Sequence, residues 1–315
     1  TQFSDFQSNP LYESAVEGVN KFHESHADMI IAVGGGSGVD VAKCIKLYCN
    51  MDRSKNYLFQ TIVPNDIPFL AVPTTAGTGS EATRYAVLYY EGAKQSISDY
   101  SCIPSAVLFD PSCLKTLPLY QKKSTMMDTL CHAIESFWSV NSTDESKEYS
   151  RVAIKLVLDN MQAYLNYIDE GNAAMLRAAN MAGKAINITQ TTGGHAMCYK
   201  LTGLYGIAHG HAAALCDVKL FPWMVRNTDK CIDPRGRDYL EQTFNELAFA
   251  LHCADTSEAT ERFQGIFDSM ELVIPRAKED YQILKTSVNL VRLKNNPVLL
   301  DEQSIDYLYH EILKK

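Results

Sequence analysis

The feature that most limits how this chain can fold is a change of hydrophobic rhythm at Leu117-Pro118. Before it, apolar residues come in short runs that stop at glycine or proline. Asp28-Met29-Ile30-Ile31-Ala32-Val33 ends on Gly34-Gly35-Gly36, Pro68-Phe69-Leu70-Ala71-Val72-Pro73 runs into Thr74, and Ala106-Val107-Leu108-Phe109 stops at Asp110-Pro111. Short runs without alternation read as buried strands of a parallel sheet, which needs helices on its faces. After Pro118 the apolar spacing is three and four: Ile134, Phe137 and Trp138, then Val152, Ile154, Leu156 and Val157, then much of residues 175–188. Asn141-Ser142-Thr143-Asp144 offers a cap between two of these helices, and further helices are predicted over 237–251, 257–272, 278–293 and 301–313. The chain therefore divides into an α/β part, residues 1–117, and an all-α part, residues 118–315. Its 315 residues suffice for two cores.

Within the α/β part, Gly34-Gly35-Gly36-Ser37 opens a helical pattern carrying Val39, Val41, Ala42, Ile45 and Leu47. Strand, glycine turn and helix N-terminus make an anion-binding corner, because bare amides and the helix dipole point at its occupant. A plain tight turn is the other reading. Thr74-Thr75-Ala76-Gly77-Thr78-Gly79-Ser80-Glu81 follows the next strand and reads as a second polar loop at a strand's carboxyl end, where open α/β sheets bind ligands. Val87-Leu88-Tyr89-Tyr90, Glu91-Gly92 and the segment starting at Lys94 suggest a hairpin.

The all-α part carries the chemistry. Asp128 and His132 are four apart, so a helix puts them on one face. Gly193-Gly194-His195 and Gly206-Ile207-Ala208-His209-Gly210-His211 set three more imidazoles among glycines and apolar residues. A buried imidazole without a partner costs about 1–3 kcal/mol, and a metal is one such partner. Asp128, His132, His195 and His209 together offer one carboxylate and three neutral nitrogens, a set that suits Fe²⁺ or Zn²⁺. His23, His26, His252 and His310 read as ordinary histidines. The net charge of -8 argues against a nucleic-acid partner, which needs a basic face. No run of about 18 apolar residues marks a membrane span, and the opening Thr-Gln-Phe-Ser-Asp-Phe has no signal-peptide pattern. The nine cysteines are scattered and without CxxC pairs, as expected of reduced thiols in a cytoplasmic protein.

Taken together, Gly34-Gly35-Gly36-Ser37 with Asp40, Ala42 and Lys43, the loop from Thr74 to Glu81, Asp128-xxx-His132-xx-Glu135, His195 followed fourteen residues later by His209-Gly210, and Asn295-Asn296-Pro297 resemble the iron-containing alcohol dehydrogenase family over nearly the whole chain. The resemblance implies a dehydroquinate-synthase-like architecture: an α/β dinucleotide-binding domain packed on an α-helical metal domain, with the active site between them. It implies that Asp128, His132, His195 and His209 are the catalytic metal ligands for Fe²⁺ or Zn²⁺. It also implies that Gly35, Gly36 and Ser37 with Asp40 cradle NAD(H) or NADP(H), that Thr74, Thr75, Thr78 and Ser80 line the cofactor, and that Lys94 reaches it from the hairpin. The expected reaction is reduction of a small aldehyde to a primary alcohol, in a homodimer or higher homo-oligomer.

Three departures from the family pattern matter. Tyr199 stands where the family commonly has a histidine four residues after the third ligand, with Lys200 beside it, and Arg84 stands where a smaller or neutral residue is expected. If Arg84, Tyr199 and Lys200 line the cleft, they suit a substrate with an anionic tail; solvated surface cations are the other reading. Ser80-Glu81-Ala82-Thr83-Arg84-Tyr85-Ala86 and the stretch from Tyr199 to His211 are most similar to the family's phosphonoacetaldehyde reductases. Finally, the family begins with a strand, helix and strand before the segment matching Phe6-Gln7-Ser8-Asn9-Pro10. The dinucleotide domain is thus expected to lack its first βα unit, which ordinarily helps discriminate NAD from NADP. Rival readings are a general short-chain alcohol, lactaldehyde or propanediol dehydrogenase of the same family, and an inactivated metal-binding relative. A metal-free reductase using Tyr199 and Lys200 leaves the four ligands unexplained.

Overall fold

The computed structural model describes residues 1–277 and 280–314. The chain runs α1 (Tyr12–Glu24), β1 (Ile30–Gly34), α2 (Gly36–Tyr48), β2 (Phe69–Pro73), β3 (Tyr85–Tyr90), β4 (Ala93–Ser98) and β5 (Ala106–Val107). Helices then follow almost without interruption: α3 (Leu119–Trp138), α4 (Asp144–Leu165), α5 (Asp169–Thr189), α6 (Gly193–Tyr205), α7 (His209–Arg226), α8 (Arg237–Ala250), α9 (Thr256–Ser269), α10 (Tyr281–Thr286), α11 (Leu290–Leu293) and α12 (Glu302–Ile312).

The apolar runs before Leu117 do form a parallel sheet, in the order β1-β2-β5. Ile30 pairs with Phe69 and Gly34 with Pro73, so β1 and β2 end level and release their loops side by side. One face of β1 packs Ile30 and Ala32 inward, while Ile31 and Val33 on the other are 58% and 65% exposed. The third run is cut to two strand residues; beyond Val107 the chain turns into Asp110, whose side chain accepts the Ser112 N–H and caps a short turn. β3 and β4 form a hairpin in which Tyr90 pairs with Ala93, leaving Glu91 and Gly92 as a two-residue turn. Both turn residues have positive φ, 50° and 74°, as a primed turn requires.

The buried apolar side chains fall into two clusters. One, from Tyr12 to Cys102, joins α1, α2, the sheet and the hairpin. The larger is built from the helices and also takes Ala76 and Leu114 from the segment before Leu117. The central helix is α3, which packs against α4, α5, α7 and α8. The cap read from sequence at 141–144 is Thr143, which forms a reciprocal capping box with Ser146 at α4; Asp301 likewise accepts the Ser304 N–H at α12.

Two elements differ from expectation. Helix α1 was not foreseen; Tyr12, Ala15 and Val19 give it a buried stripe, but three glutamates, Lys21 and His23 thin the pattern. The single helix expected over 278–293 starts on residues outside those described and is otherwise two short helices, α10 and α11. Asn289 breaks it by turning its side chain to cap Val291 and Arg292, while its own N–H bonds to the Ala196 carbonyl. Among the described residues no helix is long and apolar enough to cross a membrane.

Candidate active site

Helix α3 carries Asp128, His132 and Glu135 at positions i, i+4 and i+7, hence on one buried face. Helices α6 and α7 bring His195 and His209 onto that face. Their approach depends on glycine. A Cβ on Gly194 would lie 1.9 Å from the Asp217 Oδ1, and one on Gly210 would lie 2.2 Å from the Ser124 carbonyl and 2.5 Å from the Asp128 Cβ. Larger residues would hold α6 and α7 away from their neighbours.

The three imidazole Nε2 atoms converge on one carboxylate oxygen, Asp128 Oδ1: His195 at 3.5 Å, His132 and His209 at 4.0 Å each. Asp128, His195 and His209 form the tightest group, and the His132 ring stacks on His195 with 4.5 Å between centroids. Asp128 Oδ1 and His195 Nε2 are buried without a hydrogen-bond partner. Orphaned acceptors facing one another across a small gap are what a shared cation satisfies, and one carboxylate with three imidazoles fits a divalent first-row metal. Burial would lower the His195 pKa, but Glu135 and Asp128 on its two sides raise it to about 10. The pocket thus prefers a positive charge at this point, which a metal ion supplies as well as a proton does. His209 goes the other way: the protein packed around its ring, with His195 and Lys94 nearby, lowers its pKa against the pull of Asp128.

Behind His195 sits a second layer. Glu135 accepts the His195 Nδ1–H at 2.6 Å, the His195 backbone N–H at 2.9 Å, the Thr192 hydroxyl at 2.8 Å and the Thr192 N–H. These bonds fix the tautomer that leaves Nε2 free to face Asp128. Asp217 lies beyond, fully buried; burial and the neighbouring Glu135 charge push its carboxyl well above the usual range, so it stays protonated. At the end of the chain Asn295 and Asn296 tie down the turn leading into α6, through bonds to the Thr191 carbonyl and from the Gly193 N–H. His211, the third imidazole of its motif, faces elsewhere: its Nδ1 meets the Tyr120 hydroxyl at 3.1 Å.

The glycine corner and the threonine loop meet at the carboxyl ends of β1 and β2. Gly35 is the residue before α2, and a Cβ there would lie 3.1 Å from the Thr75 side chain; one on Gly36 would lie 2.8 Å from Thr78. The Thr74 N–H bonds to the Gly34 carbonyl at 3.0 Å. The result is a cradle of bare backbone at a helix N-terminus, flanked by Ser37, Thr74, Thr75 and Thr78, which suits a pyrophosphate. Asp40 accepts the Ser80 hydroxyl at 2.6 Å and the Val87 N–H at 3.0 Å, latching the loop to the hairpin. The Thr129 hydroxyl on α3 donates to the Ala76 and Gly77 carbonyls, so this loop lies against the helix that carries Asp128 and His132.

On the open side, the His209 side chain is 39% exposed, whereas Asp128, His132 and His195 are at most 7% exposed. Tyr199 stacks on His209, with centroids 5.7 Å apart and an angle of 13°. Of the residues expected to meet substrate, only Tyr199 is brought to the ligands. Arg84 donates to the Asn187 carbonyl and the Tyr100 hydroxyl, tying the hairpin to α5. Lys200 is exposed, one position round α6 from Tyr199 and so about 100° away from the cleft. Lys94 reaches the cleft, its Nζ 3.6 Å from the centre of the Tyr199 ring. Arg292 of α11 was not singled out from sequence, yet it neighbours both Tyr199 and Lys94. Nothing local marks it, since its partner Gln190 lies about 100 residues away in the chain.

The chain is similar to known proteins. The family model for iron-containing alcohol dehydrogenase matches residues 1–111, and that for the Fe-containing alcohol dehydrogenase family, C-terminal, matches residues 122–311. The phosphonoacetaldehyde reductase of Streptomyces viridochromogenes is 31% identical over 90% of this chain and 76% of its own length. Aldehyde-alcohol dehydrogenase 2 of Entamoeba histolytica is 30% identical over 83% of this chain, which spans only 32% of that protein. The crystal structure of sulfoacetaldehyde reductase from Bifidobacterium kashiwanohense in complex with NAD+ superposes with a TM-score of 0.87 at 27% identity, covering 98% of this chain and 82% of that one.

Proposed function

Because the chain belongs to the iron-containing alcohol dehydrogenase family of oxidoreductases, we propose that it reduces a short aldehyde bearing an anionic group, phosphonoacetaldehyde being the type, to its primary alcohol with NADH or NADPH. The observation that carries this reading is the convergence of Asp128, His132, His195 and His209 into a cluster that opens on one side only, beside a glycine and threonine cradle. Asp128 and the three imidazoles hold a divalent ion, Fe²⁺ by family and Zn²⁺ as the other metal with matching ligand preference. When bound, the ion supplies Lewis acidity toward the carbonyl oxygen of the aldehyde. Glu135 keeps the proton of His195 on Nδ1, and protonated Asp217 keeps Glu135 company without adding a second buried charge. The amides at Gly35, Gly36 and Ser37 bind the pyrophosphate, with Thr75 and Thr78 closing its other side. Tyr199 narrows the entrance at His209 and helps to exclude water.

An anionic tail is favoured over a neutral one by two relatives of the chain, which are named for two-carbon aldehydes bearing a phosphonate and a sulfonate. The same reading places a domain division near residue 117. It also makes this a cytoplasmic enzyme, in keeping with nine free cysteines.

Oxidation of NADH and of NADPH by Fe²⁺- and Zn²⁺-loaded protein tests the proposal, with phosphonoacetaldehyde, sulfoacetaldehyde, lactaldehyde and propionaldehyde as substrates. The expected result is a kcat/KM at least about tenfold higher for the anionic aldehydes, the worth of one charge-assisted hydrogen bond. A preference for propionaldehyde or lactaldehyde would make this a general short-chain dehydrogenase. Tight metal binding with no turnover on any aldehyde would leave an inactive relative.

A further inference from the structure

Helix α7 begins with a candidate ligand, and its own sequence does little to hold that beginning. His209 is its first residue, and Ala208 before it offers no side-chain cap. The first four N–H groups of a helix have no partner inside it. Only Gly206, Ile207 and Ala208 separate α7 from the end of α6, and Gly206 turns the chain there with φ 66°. His209 is also the most exposed of the four candidate ligands, so packing restrains its side chain least.

Helix α3 supplies what α7 lacks. The Tyr120 hydroxyl oxygen accepts the Ala208 N–H at 2.9 Å, and Ser124 Oγ accepts the His211 N–H at 3.0 Å. The Tyr120 oxygen also stands 3.1 Å from His211 Nδ1; with that nitrogen unprotonated, the hydroxyl gives it its own hydrogen. Gly210 seats the turn between these bonds, because a Cβ on it would run into the Ser124 carbonyl and the Asp128 Cβ. Tyr120, Ser124, Asp128 and His132 follow one another at intervals of four, a single ridge along α3. The first two members of that ridge cap α7, and the last two join the cluster that its first residue enters.

We infer that Tyr120 and Ser124 are positioning residues for His209: caps lent by one ligand-bearing helix to another, which fix the start of α7 in register with Asp128 and His132. The inference rests on the reading of these side chains as a metal site. Neither Tyr120 nor Ser124 serves as a ligand; each acts through the backbone of α7. Without the caps the first turn of metal-free α7 unwinds, and an incoming ion has to rewind it, which appears as weaker binding. Ser124 is 1% exposed and Tyr120 40%. Water therefore replaces the tyrosine oxygen more readily, and Ser124 carries the larger share.

The test titrates the metal-free full chain with Zn²⁺ against a chromogenic chelator, comparing the natural protein with Ser124→Ala and Tyr120→Phe, each of which deletes one oxygen atom. Ser124→Ala is expected to weaken binding at least about fivefold, and Tyr120→Phe about two- to threefold. Thr143→Ala, which removes the cap of α4, is the control for stability alone: it should lower the melting temperature and leave the affinity for Zn²⁺ unchanged. Amide hydrogen exchange gives a local readout that needs no turnover. In metal-free Ser124→Ala the N–H groups of residues 208–212 should exchange faster than in the natural protein, and Zn²⁺ should restore their protection. A lower melting temperature in Ser124→Ala with affinity and exchange unmoved would mean packing only and overturn the inference. An equal loss of affinity in Thr143→Ala would trace the effect to general stability and overturn it as well. Should the natural protein bind no Zn²⁺, the metal-site reading fails and the inference with it. If both variants bind Zn²⁺ as tightly as the natural protein does, the inference alone fails.

Discussion

Glu135 has no direct path to substrate, yet the orientation of His195 depends on it. Its carboxylate takes the Nδ1 proton and three other donors, and burial alone would push its pKa up; His195 and the Thr192 N–H hold it low. Glu135→Gln should therefore weaken metal binding about 10- to 100-fold, the usual effect of losing such a partner, measured by competition with a chromogenic Zn²⁺ chelator. Unchanged affinity would demote Glu135 to packing. Lys94 gives a pH prediction. Crowding by protein atoms, with Arg292 adding to it, lowers its pKa to about 8 against the pull of Cys198 and Asp40; Tyr199 and His209 are the other groups that face it. A lysine with a depressed pKa is charged below that value and neutral above it. KM for NADH, which the family resemblance sets beside Lys94, should hence rise as pH passes through 8. At this scale the convergence of the four candidate ligands was legible because Asp128 and His132 share helical spacing and His195 and His209 sit among glycines. Arg292, Gln190 and Asp217 were not, since each acquires its meaning only from contacts far away in the chain.

Helices α3, α6 and α7 meet through their glycines, and the elements respond accordingly. Gly210→Ala would drive a methyl into the Ser124 carbonyl and the Asp128 Cβ. Overpacking of this kind costs about 1–3 kcal/mol, and here the displaced residue is a candidate ligand. The expected outcome is a lower melting temperature together with loss of bound metal by elemental analysis; full metal content would contradict the geometry. Gly265→Ala makes the contrast. A Cβ there meets nothing within 4 Å, and exchanging glycine for alanine inside α9 should stabilise by roughly 0.5–1 kcal/mol. Most elements could be read from periodicity and capping residues, including the hairpin and the box at Thr143. The break at Asn289 could not, because an asparagine inside a helical pattern becomes a cap only when a neighbour, here the Ala196 carbonyl, takes its N–H.

Over the whole molecule the two apolar clusters divide the labour, since every candidate ligand belongs to helices of the larger one. Metal should therefore raise the melting temperature by stabilising the helical part. At 100 times the dissociation constant the gain is about 2.7 kcal/mol, which for a chain of this size is a few degrees. Calorimetry before and after chelation measures it, and an unshifted transition would speak against the ligand set. The passage from strands to helices near Leu117 was readable as a change of rhythm, but the entry of Ala76 and Leu114 into the helical cluster was not, because they join it only through tertiary packing. The outward row on β1, Ile31 and Val33, has a colloidal consequence. Parallel strands are ordinarily covered on both faces, and an apolar row along a sheet edge invites another copy. In dilute buffer the osmotic second virial coefficient should be negative, so that scattering per unit mass climbs with concentration, and Val33→Lys should bring it to zero or above.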